Sequence, residues 1–204
     1  MRDRLRIVLI LALFVVASWA WADGDREDWQ QPDRVVADLG LYPGVTVADV
    51  GCGYGYFVFR LVPAVGEAGR IFAVDIDREA IGQVKERAKQ ERLSNVEALV
   101  SDPTDTKLAS ASLDAALVCN VLHEAPADQR GPLVQDIARA LKPGACLYLL
   151  DWRQSHDVTQ DPYEKLIPRE DLLKLATDAG LTLDAEYHYL KYQVFLRLRK
   201  PVSP

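Results

Sequence analysis

The chain has 204 residues, 49% of them hydrophobic, and 24 Lys and Arg against 30 Asp and Glu give it a formal net charge of -6. That length and apolar content bury one sizeable core and argue for a single domain with an appendage. An acidic chain is a poor candidate for nucleic-acid binding, because phosphate contacts need clustered Lys and Arg, and three cysteines without CxxC spacing exclude a disulfide framework or a cysteine metal site.

Residues 1–22 carry a basic head (Arg2, Arg4, Arg6), an uncharged run over 7–21, and Ala20 and Ala22 in A-x-A spacing, which is the pattern of a secretory signal. The run is shorter than the ~18 residues of a spanning helix. Cleavage after Ala22 is therefore the expectation, with a retained anchor as the alternative, and in both cases the Arg-rich head stays cytoplasmic while the domain is exported. Residues 23–31 read as a polar linker, 32–200 as the domain and 201–204 as a tail.

A short helix is expected over 32–40, with Asp33 as an N-cap-like residue and Gly40 as its stop. Continuous apolar runs follow at 45–50, 70–74, 115–119 and 145–150, with a weaker one at 96–100, the pattern of parallel strands covered on both faces. Cys52, Cys119 and Cys146 each lie in or beside such a run and read as small buried hydrophobes. Helices are expected over 56–64, over 78–91 behind an Asp77 cap, over 127–141 stopped by Lys142-Pro143-Gly144, and over 169–179 with Pro168 in its first turn. Alternating strand and helix make a right-handed, doubly wound sheet. The final strand-like runs, 181–187 and 192–199, are too close for a crossover helix and predict an antiparallel hairpin.

The stretch VADVGCGYGYF at 47–57 places glycines at 51, 53 and 55, whereas a dinucleotide fingerprint starting at Gly51 needs one at 56, where Tyr56 stands. That argues against a pyrophosphate cradle, although the glycines still let the backbone turn sharply against a ligand at the carboxyl end of the first strand. Asp49 sits badly beside a pyrophosphate but well beside an ammonium group. Asp75 ends the second strand 20 residues after Gly55, where an acid accepts hydrogen bonds from ribose hydroxyls. Asp77 is the competing acid, but its place at a helix start makes it an N-cap first. Asp102 ends the third strand. A ligand with a ribose, an amino group and no phosphates fits this set, and S-adenosylmethionine (SAM) has all three properties.

With VADVGCGYGYF, GRIFAVDID, the acid of VSD, LDAALVCNVLHE, LKPGACLYLLDW and the closing hairpin, the chain resembles the class I SAM-dependent methyltransferases over about residues 29–200. The resemblance implies a Rossmann-like α/β fold with a doubly wound, seven-stranded sheet in the order 3-2-1-4-5-7-6, strand 7 antiparallel. It also implies that Asp49, Gly51, Gly53 and Gly55 line the methionine part of SAM, that Asp75 holds the ribose, and that Ile76 and Asp102 lie at the adenine. Cys52 and Asn120 complete the implied cofactor set. No metal is expected, and the absence of a substrate domain points to a small or flexible methyl acceptor.

Asn120-Val-Leu-His-Glu124 follows the fourth strand beside the glycine loop and is expected to border the reacting methyl group. His123 has two readings there, a general base or a structural residue bonded to a loop carbonyl. Methyl transfer from a sulfonium works largely by positioning, so a base is optional. Tyr56, Glu124, Asp151 and Trp152 are expected at the substrate rim, Tyr54, Tyr163 and Tyr189 are further candidate aromatics, and the loop 153–167 is a candidate lid. An exported module that binds an adenosyl-type ligand without catalysis is the alternative function, and Tyr56 counts against a nicotinamide enzyme. Export and a cytosolic cofactor pull against each other.

Overall fold

The computed structural model describes residues 26–153 and 166–202. The signal-like segment, Tyr163 and most of the candidate lid lie outside the described residues. Seven strands form one sheet in the order β3-β2-β1-β4-β5-β7-β6. They are β1 Thr46–Val50, β2 Arg70–Asp75, β3 Val96–Val100, β4 Leu113–Cys119, β5 Leu141–Trp152, β6 Thr182–Tyr187 and β7 Gln193–Arg199. The first five pair in parallel, and β7 runs antiparallel between β5 and β6.

The central strands are apolar on both sides because both sides are covered. In β4, Leu113, Ala116 and Val118 face one core, and Ala115, Leu117 and Cys119 face the other. Among the described residues the covers are supplied by α1 Pro32–Asp38, α2 Val58–Val65, α3 Arg78–Gln90, α4 Ala127–Ala140 and α5 Arg169–Asp178. Val35, Leu61, Ile81 and Val84 of α1 to α3 pack in one core, while Leu133, Ile137, Leu172 and Ala176 of α4 and α5 pack in the other. Fully burying a Leu or Ile is worth about 1.5 to 3 kcal/mol, so these two layers fix the sheet between them.

Three local expectations are corrected. Asp33 does not cap α1: Pro32 takes the first helical position, and Gln31 takes the cap position at φ 48°, leaving Asp33 inside the first turn. The strand expected from 145 begins at Leu141, because Leu141 is already extended and pairs with Leu113. The register then slips before Ala115 meets Cys146, which absorbs Pro143, a residue with no N–H to give the ladder. Pro168 sits at the N-cap of α5 rather than in its first turn. Asp77 caps α3 as expected, accepting from the N–H groups of Glu79 at 2.8 Å and Ala80 at 3.3 Å.

A fourth correction bears on function. The stretch read as a linker is helical over 26–30, and Gln30 is fully buried. Its amide donates to Gln193 Oε1 at 3.1 Å and to Cys119 Sγ at 3.2 Å, so the segment is pinned to β7 and to the end of β4. Strand order reverses between β1 and β4, and the crevice outside the carboxyl ends of these two strands is where open α/β sheets bind ligands.

Candidate active site

The loop after β1 is held against the end of β2. The N–H groups of Gly51 and Cys52 both donate to the Val74 carbonyl, at 2.8 and 3.1 Å, and Gly53 N–H donates to Asp75 Oδ2 at 2.7 Å. The other Asp75 oxygen accepts from the Asp77 N–H at 2.9 Å. At Gly51 (φ 74°) a Cβ would collide with Val121, so no side chain fits between the two strand-end loops. At Gly53 (φ 51°) a Cβ would meet nothing within 4 Å, because that residue faces open space.

The open space is a pair of cavities that share Gly51, Gly53 and Asn120 in their walls. The smaller, of about 360 Å³, is walled by Asp75, Ile76, Asp102 and Glu124. Ile76 is 60% exposed there, and Asp102 forms an ion pair with Lys107. The larger, of about 590 Å³, is walled by Arg26, Trp29, Asp49, Cys52, Tyr54, Tyr56, Arg60, Cys119 and Trp152. A further cavity of about 380 Å³, beside Tyr42, Asp114 and Lys142, lies at the opposite end of the sheet, away from this crevice.

Asp49 is the charged group at the bottom of the larger cavity. Only 2% of it is exposed, and one of its carboxylate oxygens has no hydrogen-bond partner among the described residues. Burial, and then the nearby Asp75 charge, push its pKa up to about 7, while Arg26 and the Val58 N–H pull it down. A buried acid short of a donor and facing a cavity is a site for a cationic donor such as an ammonium group. Burial also pushes the Cys119 thiol up to about 12 and the Cys52 thiol higher still, so both stay protonated.

Asn120 stands where the cavities meet, in the left-handed region at φ 59°, with Oδ1 accepting from Gln193 Nε2 at 2.6 Å. A non-glycine residue held there costs about 1 to 3 kcal/mol unless its surroundings fix it, and the Gln30–Gln193 pair supplies that support. The helical segment 26–30 also forms the outer wall of the larger cavity. Trp29 packs on Trp152 with ring centroids 4.9 Å apart, and the Tyr56 ring lies between the Arg26 guanidinium at 3.7 Å and that of Arg60 at 4.1 Å. Glu27 pairs with Arg60 and accepts from the Tyr56 hydroxyl at 3.3 Å.

Of the residues expected at the site, Asp49, Gly51, Cys52, Gly53, Asp75, Ile76, Asp102, Asn120, Tyr54, Tyr56, Glu124 and Trp152 all line one or both cavities. Four stand apart. Gly55 lines neither, and a Cβ there would come within 2.7 Å of Phe59, so this glycine serves the packing of α2 against α3. Tyr189 packs on Phe195 and under Arg34 instead of roofing the pocket. His123 and Asp151 sit behind the rim, 6% and 0% exposed. There the His123 ring Nδ1 lies 2.7 Å from Asp151 Oδ1, and the His123 and Trp152 N–H groups donate to the same carboxylate at 3.2 and 2.8 Å. The structural reading of His123 thus finds a partner, a carboxylate rather than a loop carbonyl. Arg26, Trp29, Gln30, Arg60 and Gln193 were not expected here from sequence. The nearest sequence signal was one tryptophan inside a polar stretch.

Comparison with known proteins agrees with this geometry. Residues 47–144 match a methyltransferase-domain family. The chain is 31% identical over 141 residues to an arsenite methyltransferase of Halobacterium salinarum, a match that covers 62% of this chain but 36% of that protein. It is 28% identical to a 2-phytyl-1,4-naphtoquinone methyltransferase of Trichormus variabilis, with 82% of this chain and 71% of that protein covered. Among solved structures, a SAM-dependent methyltransferase from Aquifex aeolicus superposes with a TM-score of 0.78 at 26% identity, covering 86% of this chain and 92% of that one. Together these matches show a Rossmann-like methyltransferase fold, with a methyltransferase-domain match over residues 47–144.

Proposed function

We propose that the protein transfers a methyl group from SAM to a small, planar organic acceptor. The observation that carries this reading is the buried, under-partnered Asp49 at the floor of a cavity whose neighbour presents Asp75, Ile76 and Asp102. In that arrangement Asp49 meets the ammonium, Gly51 and Gly53 let the backbone approach, Asp75 accepts from ribose hydroxyls and Ile76 lies against adenine. SAM, when bound, supplies a methyl group on a positively charged sulfur. The chain supplies alignment, an apolar wall and exclusion of water.

The acceptor belongs in the aromatic part of the larger cavity, beside Trp29, Tyr54, Tyr56 and Trp152. The relatives' names point to an arsenite and a naphthoquinone acceptor. Aromatic walls suit a flat ring. Arsenite calls for thiolates, and the two cysteines in this wall have raised pKa values. His123 and Asp151 hold the 120–126 loop to the end of β5 and so set the rim.

Residues 1–22 give this domain an exported or membrane-anchored address, which keeps the non-catalytic adenosyl-binding reading alive as the second one. One pair of measurements separates the two. Calorimetric titration should show SAM binding, and release of S-adenosylhomocysteine with hydroxynaphthoquinol-type acceptors should show turnover. Binding without turnover across such acceptors favours the module, and no binding of SAM at millimolar concentration overturns both readings.

A further inference from the structure

A chain of hydrogen bonds enters the site from the 26–30 segment, and its direction is fixed at its head. Arg26 Nε donates to Gln30 Oε1 at 2.6 Å, with the guanidinium stacked on Tyr56. Gln30 Nε2 donates to Gln193 Oε1 at 3.1 Å, and Gln193 Nε2 donates to Asn120 Oδ1 at 2.6 Å. Gln30 and Gln193 are both fully buried. The two ends of an amide have nearly the same shape, so its partners decide its orientation, and a guanidinium can only donate. Arg26 therefore turns the Gln30 oxygen toward itself, and each amide in turn points its oxygen back and its NH2 group forward. Asn120 ends the chain with its oxygen committed to Gln193, and Nδ2 is the polar atom left for the junction of the two cavities, whose walls Asn120 shares.

We propose that this chain makes Asn120 a fixed hydrogen-bond donor to the methyl acceptor, so that the site selects an acceptor docking as an oxyanion, an ionised aromatic or enolic hydroxyl, over an amine. The inference rests on the SAM reading and adds to it a substrate class and the residues that set it. With Asp49 at the ammonium in the larger cavity and Asp75 at the ribose in the smaller, the sulfur between them belongs at the junction, beside Asn120. An N–H aimed there pairs with an oxyanion through a charge-assisted bond. An oxyanion has several lone pairs, so one accepts from Asn120 while another attacks. An amine needs its single lone pair for the attack, and its N–H groups would face another donor. In the transfer an oxygen lone pair forms the O–CH3 bond, the C–S electron pair returns to sulfur, and the hydroxyl proton has gone to water before docking. No base is then required, which agrees with a His123 ring turned to Asp151 behind the rim.

Two flat probes of one shape test the polarity: 2-hydroxy-1,4-naphthoquinone, an anion at neutral pH, and 2-amino-1,4-naphthoquinone, which is neutral and presents N–H groups. Each is titrated into the full-length chain saturated with S-adenosylhomocysteine, and into Asn120→Asp and Gln30→Glu treated alike. Asn120→Asp suits the left-handed position and keeps an oxygen for Gln193, but replaces the donor by an acceptor. Gln30→Glu acts at a distance, with its charge matched by Arg26. A carboxylate there only accepts, so Gln193 turns its NH2 group back, Asn120 follows, and the Asn120 oxygen faces the junction. The parent should bind the hydroxy probe about 10- to 100-fold more tightly than the amino probe, the worth of a hydrogen bond to a charged group. Both variants should reduce that ratio by a similar factor, whereas a loss of stability alone weakens both probes equally and leaves the ratio in place. Binding of S-adenosylhomocysteine reports that each variant is folded, and Asn120→Asp decides by itself where the buried charge at residue 30 unfolds the chain. An unchanged ratio in Asn120→Asp, a parent that prefers the amino probe, or a saturated parent that binds neither would overturn the proposal while leaving SAM as the ligand. A ratio that falls in Asn120→Asp but not in folded Gln30→Glu would overturn the control by the hydrogen-bond chain. Failure of the parent to bind S-adenosylhomocysteine would instead remove the SAM reading.

Discussion

The Gly53 N–H donates to the Asp75 carboxylate at 2.7 Å, so the acid at the end of β2 also orders the glycine loop at the end of β1. Two residues later Asp77 spends its side chain on the N–H groups of Glu79 and Ala80. The two acids therefore separate by role. Asp75→Ala removes both the ribose acceptor and the loop tether, and should weaken SAM by about 30- to 1,000-fold, allowing about 1.5 to 3 kcal/mol for each bond to a charged group. Asp77→Ala should cost about 0.5 to 2 kcal/mol of stability through the lost cap. It should leave affinity unchanged, because the Asp77 backbone N–H still reaches Asp75. Titration and thermal unfolding of both variants check this, and equal affinity for Asp75→Ala and the parent would sink the ribose assignment.

Asp49 makes the ligand-free protein sensitive to pH. Its pKa of about 7 lies above the ordinary 3.8, so between these values the folded chain keeps a proton that the unfolded chain has released. Stability from this group is fully present at low pH and is lost as pH rises toward 7, on the order of 4 kcal/mol at about 1.36 kcal/mol per unit. The unfolding midpoint of the ligand-free chain should fall from pH 5 to pH 8, and Asp49→Asn should flatten that slope and raise the midpoint at pH 8. SAM affinity should move the opposite way and strengthen through pH 7, because the ionised carboxylate is the form that holds an ammonium group. An unchanged slope in Asp49→Asn would contradict the assignment.

His123 and Asp151 should behave as one structural unit. Asp151 accepts from two N–H groups and the His123 ring in a fully buried position, so Asp151→Ala strips all three of their partner and should cost about 3 to 5 kcal/mol. His123→Ala should cost about 1 to 3 kcal/mol. The double variant should lose less than the sum, with a coupling of about 1 to 3 kcal/mol. Methyl transfer per SAM-loaded molecule should survive His123→Ala. A fall of about 100-fold in the chemical step, with SAM affinity and melting temperature intact, would make His123 the base.

What could be read in the sequence was local or patterned. Unbroken apolar runs gave the buried strands, the capping Asp77 gave the start of α3, and the short last connection gave the antiparallel β7. The glycine loop and the acids at 49, 75 and 102 reached the crevice because each lies at or just past the carboxyl end of a strand, and parallel strands gather those ends on one edge. The outer wall was not legible. Arg26, Trp29 and Gln30 meet Tyr56, Trp152 and Gln193, partners far along the chain, and a polar run that docks through such long-range contacts has the composition of a linker. His123 and Asp151 were expected to border the rim and lie buried behind it, because the direction in which a side chain turns there is set by tertiary packing.

The Gln30–Gln193–Asn120 chain allows stability and affinity to be separated. Gln30→Leu leaves the buried Gln193 carbonyl without its donor and should cost about 1 to 3 kcal/mol, the penalty of an unsatisfied buried polar group. Adding Gln193→Leu replaces both partners by apolar side chains of similar size, which is close to neutral in principle, so the double variant should recover most of the lost stability. It should not recover ligand binding. Asn120 Oδ1 would have lost the Gln193 donor that holds it at 2.6 Å, and the residue would be left at φ 59° without that support. It then has about 1 to 3 kcal/mol of strain to release by relaxing away from the junction of the two cavities. Thermal unfolding and calorimetric titration of SAM on the parent, single and double variants read the two quantities separately. Affinity that returns together with stability would show that Asn120 is held by its own backbone and that the polar chain only stiffens the fold.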